Sequence, residues 1–225
     1  MKLLCLICAR GGSKGIKNKN LIKIKKNKLI DYSIQHAIDS KIFNKIVVST
    51  DSKKIQKHVN LNNNLSWFLR PKHLSKDKSS KLDVLRHALL KSEKKFGYHF
   101  DYICDLDVTS PLRRIIDIKK AFNKFKNSNY DLLFSVTEAK KNPYFNMVEK
   151  KNNAVSVVKK LTKHVASRQQ APKVYEMNAS IYFWKRNSLL KKKRFGKNVG
   201  IFLMPRERSI DIDDYMDLQI VKNLI

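Results

Sequence analysis

Apolar residues run unbroken from Leu3 to Ala9 and stop at Arg10-Gly11-Gly12. A run this short suits one buried strand and cannot span a bilayer. From Leu29 to Ser40 the period changes, with Ile30, Ser33, Ile34, Ala37 and Ile38 at helical spacing, which predicts an amphipathic helix. Lys45 to Ser49 reads as a β-branched strand ending at Thr50 and Asp51, Ser52 to Val59 as a short helix, and Leu65 to Leu69 as a short strand before Arg70-Pro71. Lys81 to Phe96 places Leu82, Leu85, Leu89 and Leu90 on one helix face, and Asp101 to Leu106 is a buried strand stopping at Asp107. A helix at Ile115 to Phe125 and a strand at Asp131 to Val136 follow. Strands alternating with helices predict an α/β fold, an open, mostly parallel, doubly wound sheet.

From Glu138 to Glu176 the alternation fails, leaving hairpin-like segments around Lys151-Asn152-Asn153. Asn178 to Trp184 returns to the sheet, followed by a short helix, a strand near Ile201 to Met204, the segment Ser209–Asp213, and a last helix from Tyr215 to Leu224. A chain of 225 residues with 42% hydrophobic content fits a single domain, 1–225, carrying one insertion.

The formal net charge of +29 raises the prospect of nucleic-acid binding. The lysines are spread along the whole chain instead of forming a tail or one helix face, and no nucleic-acid-binding motif accompanies them. Dispersed surface charge is the preferred reading. The apolar start has only Lys2 before it and ends in Arg10 without a small-residue cleavage site, so it is read as a strand of a cytoplasmic protein and not as a signal peptide. Cys5 and Cys8 form a C-x-x-C within that strand, but no second cysteine or histidine pair completes a metal site. Three residues apart on a strand they point to opposite faces, as buried hydrophobes.

The loop after the first strand carries Arg10, Gly11, Gly12, Ser13, Lys14, Gly15, Lys17, Lys19 and Asn20. Its glycines let successive backbone N–H groups turn toward one anion, and the cations add charge around that nest. At the carboxyl end of a parallel strand this reads as a phosphate cradle. It is neither a G-x-x-x-x-G-K-[ST] loop nor a G-x-G-x-x-G loop. Ser209 to Asp213, SIDID, alternates strictly. If extended, it buries Ile210 and Ile212 and sets Asp211 and Asp213 on one face, roughly 6–7 Å apart, suited to one Mg²⁺.

ICARGGSKGIKNKNL closely resembles the signature of the acylneuraminate cytidylyltransferases, the synthetases of CMP-sialic acids and related CMP-sugars. VSTDS, Leu69–Pro71 (LRP), Thr109–Arg113 (TSPLR) and SIDID follow in the family's order. The resemblance implies a Rossmann-like nucleotidyltransferase fold and transfer of a cytidylyl group. The anomeric hydroxyl of a nine-carbon keto-sugar acid attacks the α-phosphate of CTP, and pyrophosphate leaves. It implies Arg10, Ser13, Lys14 and Lys19 at the triphosphate, with the Gly11, Gly12 and Gly15 backbone and Asn20 beside the nucleotide. Arg70, Ser79 and Ser80 would line the cytidine side, and Asp211 and Asp213 would carry Mg²⁺. Arg10, Lys19 and Asp211 form the catalytic set; no general base stands out.

On the acceptor side the resemblance implies Asp107, Thr109, Ser110, Arg168, Gln169, Gln170, Asn178 and Tyr182. It also implies a homodimer in which an arm at about 138–176 swaps over the partner. Two departures mark this side. Asp107 stands where the family carries an amide, and could accept from the sugar, help hold metal, or pair with Arg113 or Arg114. Glu176-Met177-Asn178-Ala179 replaces the usual R-x-N-G, which removes a cation and suggests that position 179 needs no positive φ. Legionaminic and pseudaminic acids are therefore acceptors as plausible as sialic acid. The alternative is a non-catalytic protein that binds nucleotide or nucleic acid through its basic surface.

Overall fold

A computed structural model of the chain describes all residues except 13–14, 64, 77, 163–166 and 192–197. The strands are β1 (Leu3–Ala9), β2 (Lys23–Ile24), β3 (Asn27–Lys28), β4 (Lys45–Thr50), β5 (Ser66–Leu69), β6 (Tyr102–Leu106), β7 (Leu132–Glu138), β8 (Val148–Lys151), β9 (Ala154–Val157), β10 (Tyr175–Lys185) and β11 (Val199–Leu203). The helices are α1 (Leu29–Ser40), α2 (Lys53–Val59), α3 (Lys81–Phe96), α4 (Ile115–Lys126), α5 (Arg186–Leu190) and α6 (Tyr215–Leu224). Seven strands form one sheet in the order β5-β4-β1-β6-β10-β7-β11. Within it β10 pairs antiparallel with both neighbours, and every other pairing is parallel. The mostly parallel α/β sheet expected from the alternation is present.

The central strand shows why it is apolar throughout. Leu3, Cys5 and Ile7 of β1 pack with α1, α2, α4 and α6, whereas Leu4 and Leu6 face α3 and α5 on the other side. Each fully buried Leu or Ile in these layers contributes about 1.5–3 kcal/mol. Cys5 and Cys8 do point to opposite faces; Cys5 is buried, while Cys8 is only half-buried. Burial, reinforced by Asp105, pushes the Cys8 thiol up to about 12, so it stays protonated.

Helix ends follow local chemistry. Ser52 Oγ caps α2 by accepting from Ile55 N at 3.4 Å. Asp214 caps α6, accepting from Met216 N at 2.8 Å and Asp217 N at 3.0 Å, and Gly97, at φ +74°, ends α3. The stretch expected to be hairpin-like contains β8 and β9, paired antiparallel, with Asn152 at φ +53° in the turn.

After β1 the chain moves by α1 to β4 and on to β5, then returns by α3 to β6 on the other side of β1. Strand order therefore reverses between β1 and β6, where open α/β sheets hold their ligands. Arg113, 1% exposed, ties this edge together from inside. Its guanidinium donates to the Asp107 and Ser180 carbonyls and to the Ser33 and Ser180 hydroxyls.

β10 breaks register between Met177 and Tyr182, and Ala179 within the break has φ +52°. The expectation that alanine here signals an ordinary φ is therefore corrected. The bulge requires the left-handed conformation, and alanine adopts it at a cost of about 1–2 kcal/mol. Ala179→Gly should accordingly raise stability by about 1 kcal/mol, read as a higher urea midpoint at unchanged slope. Arg113→Met should lower stability by about 3 kcal/mol or more in the same measurement, because several buried oxygens lose a charged donor at once.

Candidate active site

The glycine loop is fixed by the strands around it. Gly11 N donates to Asp51 Oδ1 at 2.9 Å, and Asn20 Nδ2 donates to the Arg10 carbonyl at 2.8 Å. A Cβ at Gly15 would lie 2.4 Å from the Asp213 carbonyl oxygen. Only glycine lets the loop backbone approach the acidic segment so closely. Lys19 completes the closure, its ammonium donating to the Ile212 carbonyl and standing 3.5 Å from Asp213 Oδ1.

Above the switch point lies a cleft of about 430 Å³ lined in part by Arg10, Gly15, Lys19, Asn20, Arg70, Ser79, Lys81, Asp107, Thr109 and Asp213. An adjoining cavity of about 420 Å³ is lined by Ser80, Lys81, Leu82, Leu85, Asp105, Asp107, Leu132, Met177, Ala179, Tyr182 and Trp184. Lys81 and Asp107 belong to both. Ser80 therefore faces the second cavity and not, as expected, the same side as Ser79. Ser13 and Lys14 lie outside the described residues, and Gly11 and Gly12 complete the loop without lining the cleft.

Ser110 and Asn178 differ from expectation. Ser110 is fully buried, with Oγ donating to the Asn178 carbonyl at 3.2 Å. Asn178 is buried too; Oδ1 accepts from Ser135 Oγ at 2.6 Å and Nδ2 donates to Ser209 Oγ at 2.9 Å. Both side chains hold the β10 bulge and the strand ends together instead of facing a cavity. Arg168, Gln169 and Gln170 form a 3-10 turn whose arginine donates to the Ala139 carbonyl at 2.5 Å. Arg168 and Gln169 line a separate cavity beside Asn142 and Pro172, so within one chain they do not join Asp107 and Tyr182. Glu176 accepts from Lys140 N at 2.8 Å.

The SIDID segment is not the extended strand its alternation suggested. It follows a 3-10 turn at Arg206–Arg208, and Ser209 has φ −111° and ψ 12°. Arg208 grips both carboxylate oxygens of Asp117 at 2.9 Å, and Ile212 N donates to the Thr109 carbonyl at 2.9 Å. These clips bury Ile212 and leave Ile210 half-buried. Asp211 is half-buried while the Asp213 side chain is 81% accessible. Asp211 Oδ1 is buried and has no hydrogen-bond partner among the described residues. Burial pushes the Asp211 carboxyl up to about 6; Asp107 and Asp213 add to the rise, while Thr109 and Lys19 oppose it.

Lys81 was not anticipated. Its ammonium lies 2.9 Å from Asp107 Oδ2 and 3.2 Å from Asp105 Oδ2, at the amino end of α3. Asp107 is thus engaged by Lys81, and Arg113 takes its carbonyl instead of its carboxylate. Some 43% of the Lys81 side chain stays accessible, because it opens into the cleft. Burial works against the ammonium's charge, yet the two carboxylates hold it well above the ordinary lysine range. Burial likewise pushes both carboxyls up; Lys81 brings Asp107 below its usual value, while Asp105 stays raised. The one local signal was the lysine directly after the Ser79–Ser80 pair. Its carboxylate partners lie more than twenty positions away, beyond any spacing rule.

A cation-lined cleft over a glycine loop, at the switch point of a mostly parallel sheet, defines a class: α/β proteins that bind a phosphorylated nucleotide at strand ends. A family model described as cytidylyltransferase matches residues 4–222. The chain is 47% identical over 225 residues to CMP-N,N'-diacetyllegionaminic acid synthase of Campylobacter jejuni, covering all of this chain and 95% of that protein. It is 45% identical, at the same coverage, to post-translational flagellin modification protein B of Campylobacter coli. A solved structure of CMP:2-keto-3-deoxy-manno-octonic acid synthetase complexed with CTP shares the fold, with a TM-score of 0.74 at 16% identity over 100% of this chain and 98% of that one. The chain belongs to the cytidylyltransferase family.

The Asp211 environment gives a pH test. A carboxyl raised in the folded state contributes stability that is fully present below about pH 4 and is lost as pH rises through about 6. Asp211→Asn, neutral throughout, should match the wild type near pH 4 and exceed it by about 1–3 kcal/mol above pH 7. Denaturant melts across that range, without added metal, check it.

Proposed function

We propose that this chain activates a nonulosonic, sialic-acid-like sugar: it transfers the cytidylyl group of CTP to the sugar's anomeric hydroxyl and releases pyrophosphate. One observation carries this reading. The cationic cleft opens directly onto a second, largely apolar cavity, and the two share Lys81 and Asp107. Two substrates can thus lie with their reacting ends at one junction, and such positioning is the larger part of the catalysis of phosphoryl-type displacements.

In this reading Arg10, Lys14 and Lys19, with Ser13 and the backbone of Gly11, Gly12 and Gly15, hold the triphosphate, and Asn20 keeps the loop in shape. Arg70 and Ser79 line the cytidine side. Ser80, Asp107, Thr109 and Tyr182 face the acceptor, while Ser110 and Asn178 act by fixing the bulge beneath it. Asp211 and Asp213 fit a divalent cation such as Mg²⁺. The unpartnered Asp211 Oδ1 and the mutual repulsion with Asp107 and Asp213 are what a cation would relieve. Among the described residues no group of three or more His, Cys, Asp or Glu is arranged to hold a metal. Mg²⁺ takes one or two carboxylates plus phosphate oxygens, so the reading rests on Asp211 and Asp213 together with the nucleotide. When bound, such an ion neutralises charge on the phosphates.

The acceptor-side assignment of Arg168, Gln169 and Gln170 requires a second subunit. We infer a homodimer in which the arm at about 138–176 reaches across its partner. Exposed Val148 and Val155 on the hairpin and Leu203 on the edge strand support a covered surface there. The names of the relatives favour CTP with a diacetamido nonulosonic acid. Among the described residues no helix is long and apolar enough to cross a membrane; we place the enzyme in the cytoplasm, where CTP is made available to it.

Pyrophosphate release with Mg²⁺, across CTP and GTP and a panel of nonulosonic acids, tests the proposal. Release is expected with CTP and at least one such acid, falling at least 100-fold in Asp211→Ala. Silence from folded protein across the whole panel would overturn it.

A further inference from the structure

Among the described residues, Lys81 and Asp107 alone line both cavities. A bond formed between a ligand in the cleft and a ligand in the second cavity forms beside these two side chains. Lys81 can only donate hydrogen bonds, whereas an ionised carboxylate only accepts them. Of the acidic residues nearby, Asp105 lines the second cavity alone, Asp213 the cleft alone, and Asp211 neither. Asp107 is therefore the acceptor at the junction, with 24% of its side chain accessible.

The fold fixes this carboxylate from several sides. Arg113 grips the Asp107 carbonyl from within the protein. Oδ1 accepts from Thr109 Oγ1 at 3.2 Å and lies 3.5 Å from Thr109 N. Oδ2 accepts from the Lys81 ammonium at 2.9 Å. A carboxylate oxygen can accept two hydrogen bonds, so Oδ2 can take a hydroxyl beside Lys81. The charged groups facing Asp107 are Lys81 from α3, Asp105 from β6, Arg113 before α4 and Asp211 from the acidic segment. Burial raises the Asp107 carboxyl, but Lys81 and then Arg113 bring it below the ordinary aspartate value. It is ionised at neutral pH, and its orientation is set before a substrate arrives. A fixed carboxylate of this kind takes the hydroxyl proton in other phosphoryl transfers.

We propose that Asp107 is the general base of the transfer, its carboxylate accepting the proton of the attacking anomeric hydroxyl. As the proton passes to Asp107, the hydroxyl oxygen bonds to the α-phosphorus. The bond from that phosphorus to the bridging oxygen breaks, pyrophosphate leaves with the electron pair, and Asp107 returns the proton to water. The inference rests on the acceptor reading above and deepens it. Lys81 is a positioning residue here: it holds Oδ2 and keeps the carboxylate ionised.

The test uses CTP and the acid that supports pyrophosphate release, both saturating, with Mg²⁺ and with chains shown to be folded by their urea midpoints. Asp107→Asn keeps the shape of the side chain and removes the base. It should lower kcat about 100-fold to 10,000-fold, with the KM for CTP within about threefold of the wild type. A wild-type kcat in Asp107→Asn, or a change confined to the KM for the acid, overturns the proposal, while turnover by the wild type leaves the synthetase reading standing. The pH profile of kcat separates a base from a merely structural carboxylate. Lys81→Met removes the cation that lowers Asp107, so the base stays protonated to higher pH and the acid limb should move up. Lys81→Arg keeps the charge and should leave the limb near its wild-type place. Asp211 owes its rise to burial, Asp107 and Asp213, so it titrates in all these chains. An unmoved acid limb in Lys81→Met, or no turnover at any pH, overturns the proposal.

Discussion

Everything at the reactive edge of this protein hangs on one buried cation. Among the described residues Arg113 has no carboxylate partner within hydrogen-bonding distance; its guanidinium joins the end of β6, the bulge of β10 and the first turns of α1 through carbonyl and hydroxyl oxygens. Burial lowers its pKa from the ordinary arginine value, and Asp107 and the neighbouring groups partly restore it. A lysine could supply the charge but not the planar fork that reaches several acceptors at once. Because the Asp107 and Ser180 carbonyls belong to backbone at the edges of both cavities, those edges are held by this interior tie.

Charge is layered outward from that tie. Lys81 with Asp105 and Asp107 forms the next shell, and the acidic segment closed by Lys19 forms the outermost. Like charges converge on Asp211, the reverse of what a resting protein needs for stability. Such repulsion beside a cationic loop is what the proposed cation and the phosphates would relieve.

The sheet was legible because its determinants are local. The ends of α1, α3 and α6 coincide with those read from apolar period and flanking residues, and β1 was visible as an unbroken apolar run. The loop chemistry was legible for the same reason. What escaped depends on distant segments meeting. Ala179 looks like proof of ordinary backbone, yet the β10 bulge imposes a positive φ through pairing with β7 and β6. SIDID alternates like a strand, but its Ser209 and Ile212 N–H groups donate to the Arg206 and Thr109 carbonyls and not to a neighbouring strand. Ser110 and Asn178 have the chemistry of ligand contacts and use it on each other's surroundings. Lys81 and Trp184 carry no motif; only the fold brings them to one cavity.

The reversed strand β10 has a consequence for the order in which the molecule is made. The half of the sheet beneath the cationic cleft, β1, β4, β5 and β6, is complete by residue 106, and its strands are joined by crossovers that carry one α-helix each. β10 must enter between β6 and β7 from residues 175–185, across sequence separations that make contact formation slow. During synthesis the first half can therefore assemble while the gap beside β6 stays open, with β6 and β7 each presenting an unpaired edge. The wall of the second cavity exists only once β10 closes that gap. The cationic cleft waits longer still, because Asp213, which closes against Gly15 and Lys19, is made after every residue that lines the second cavity.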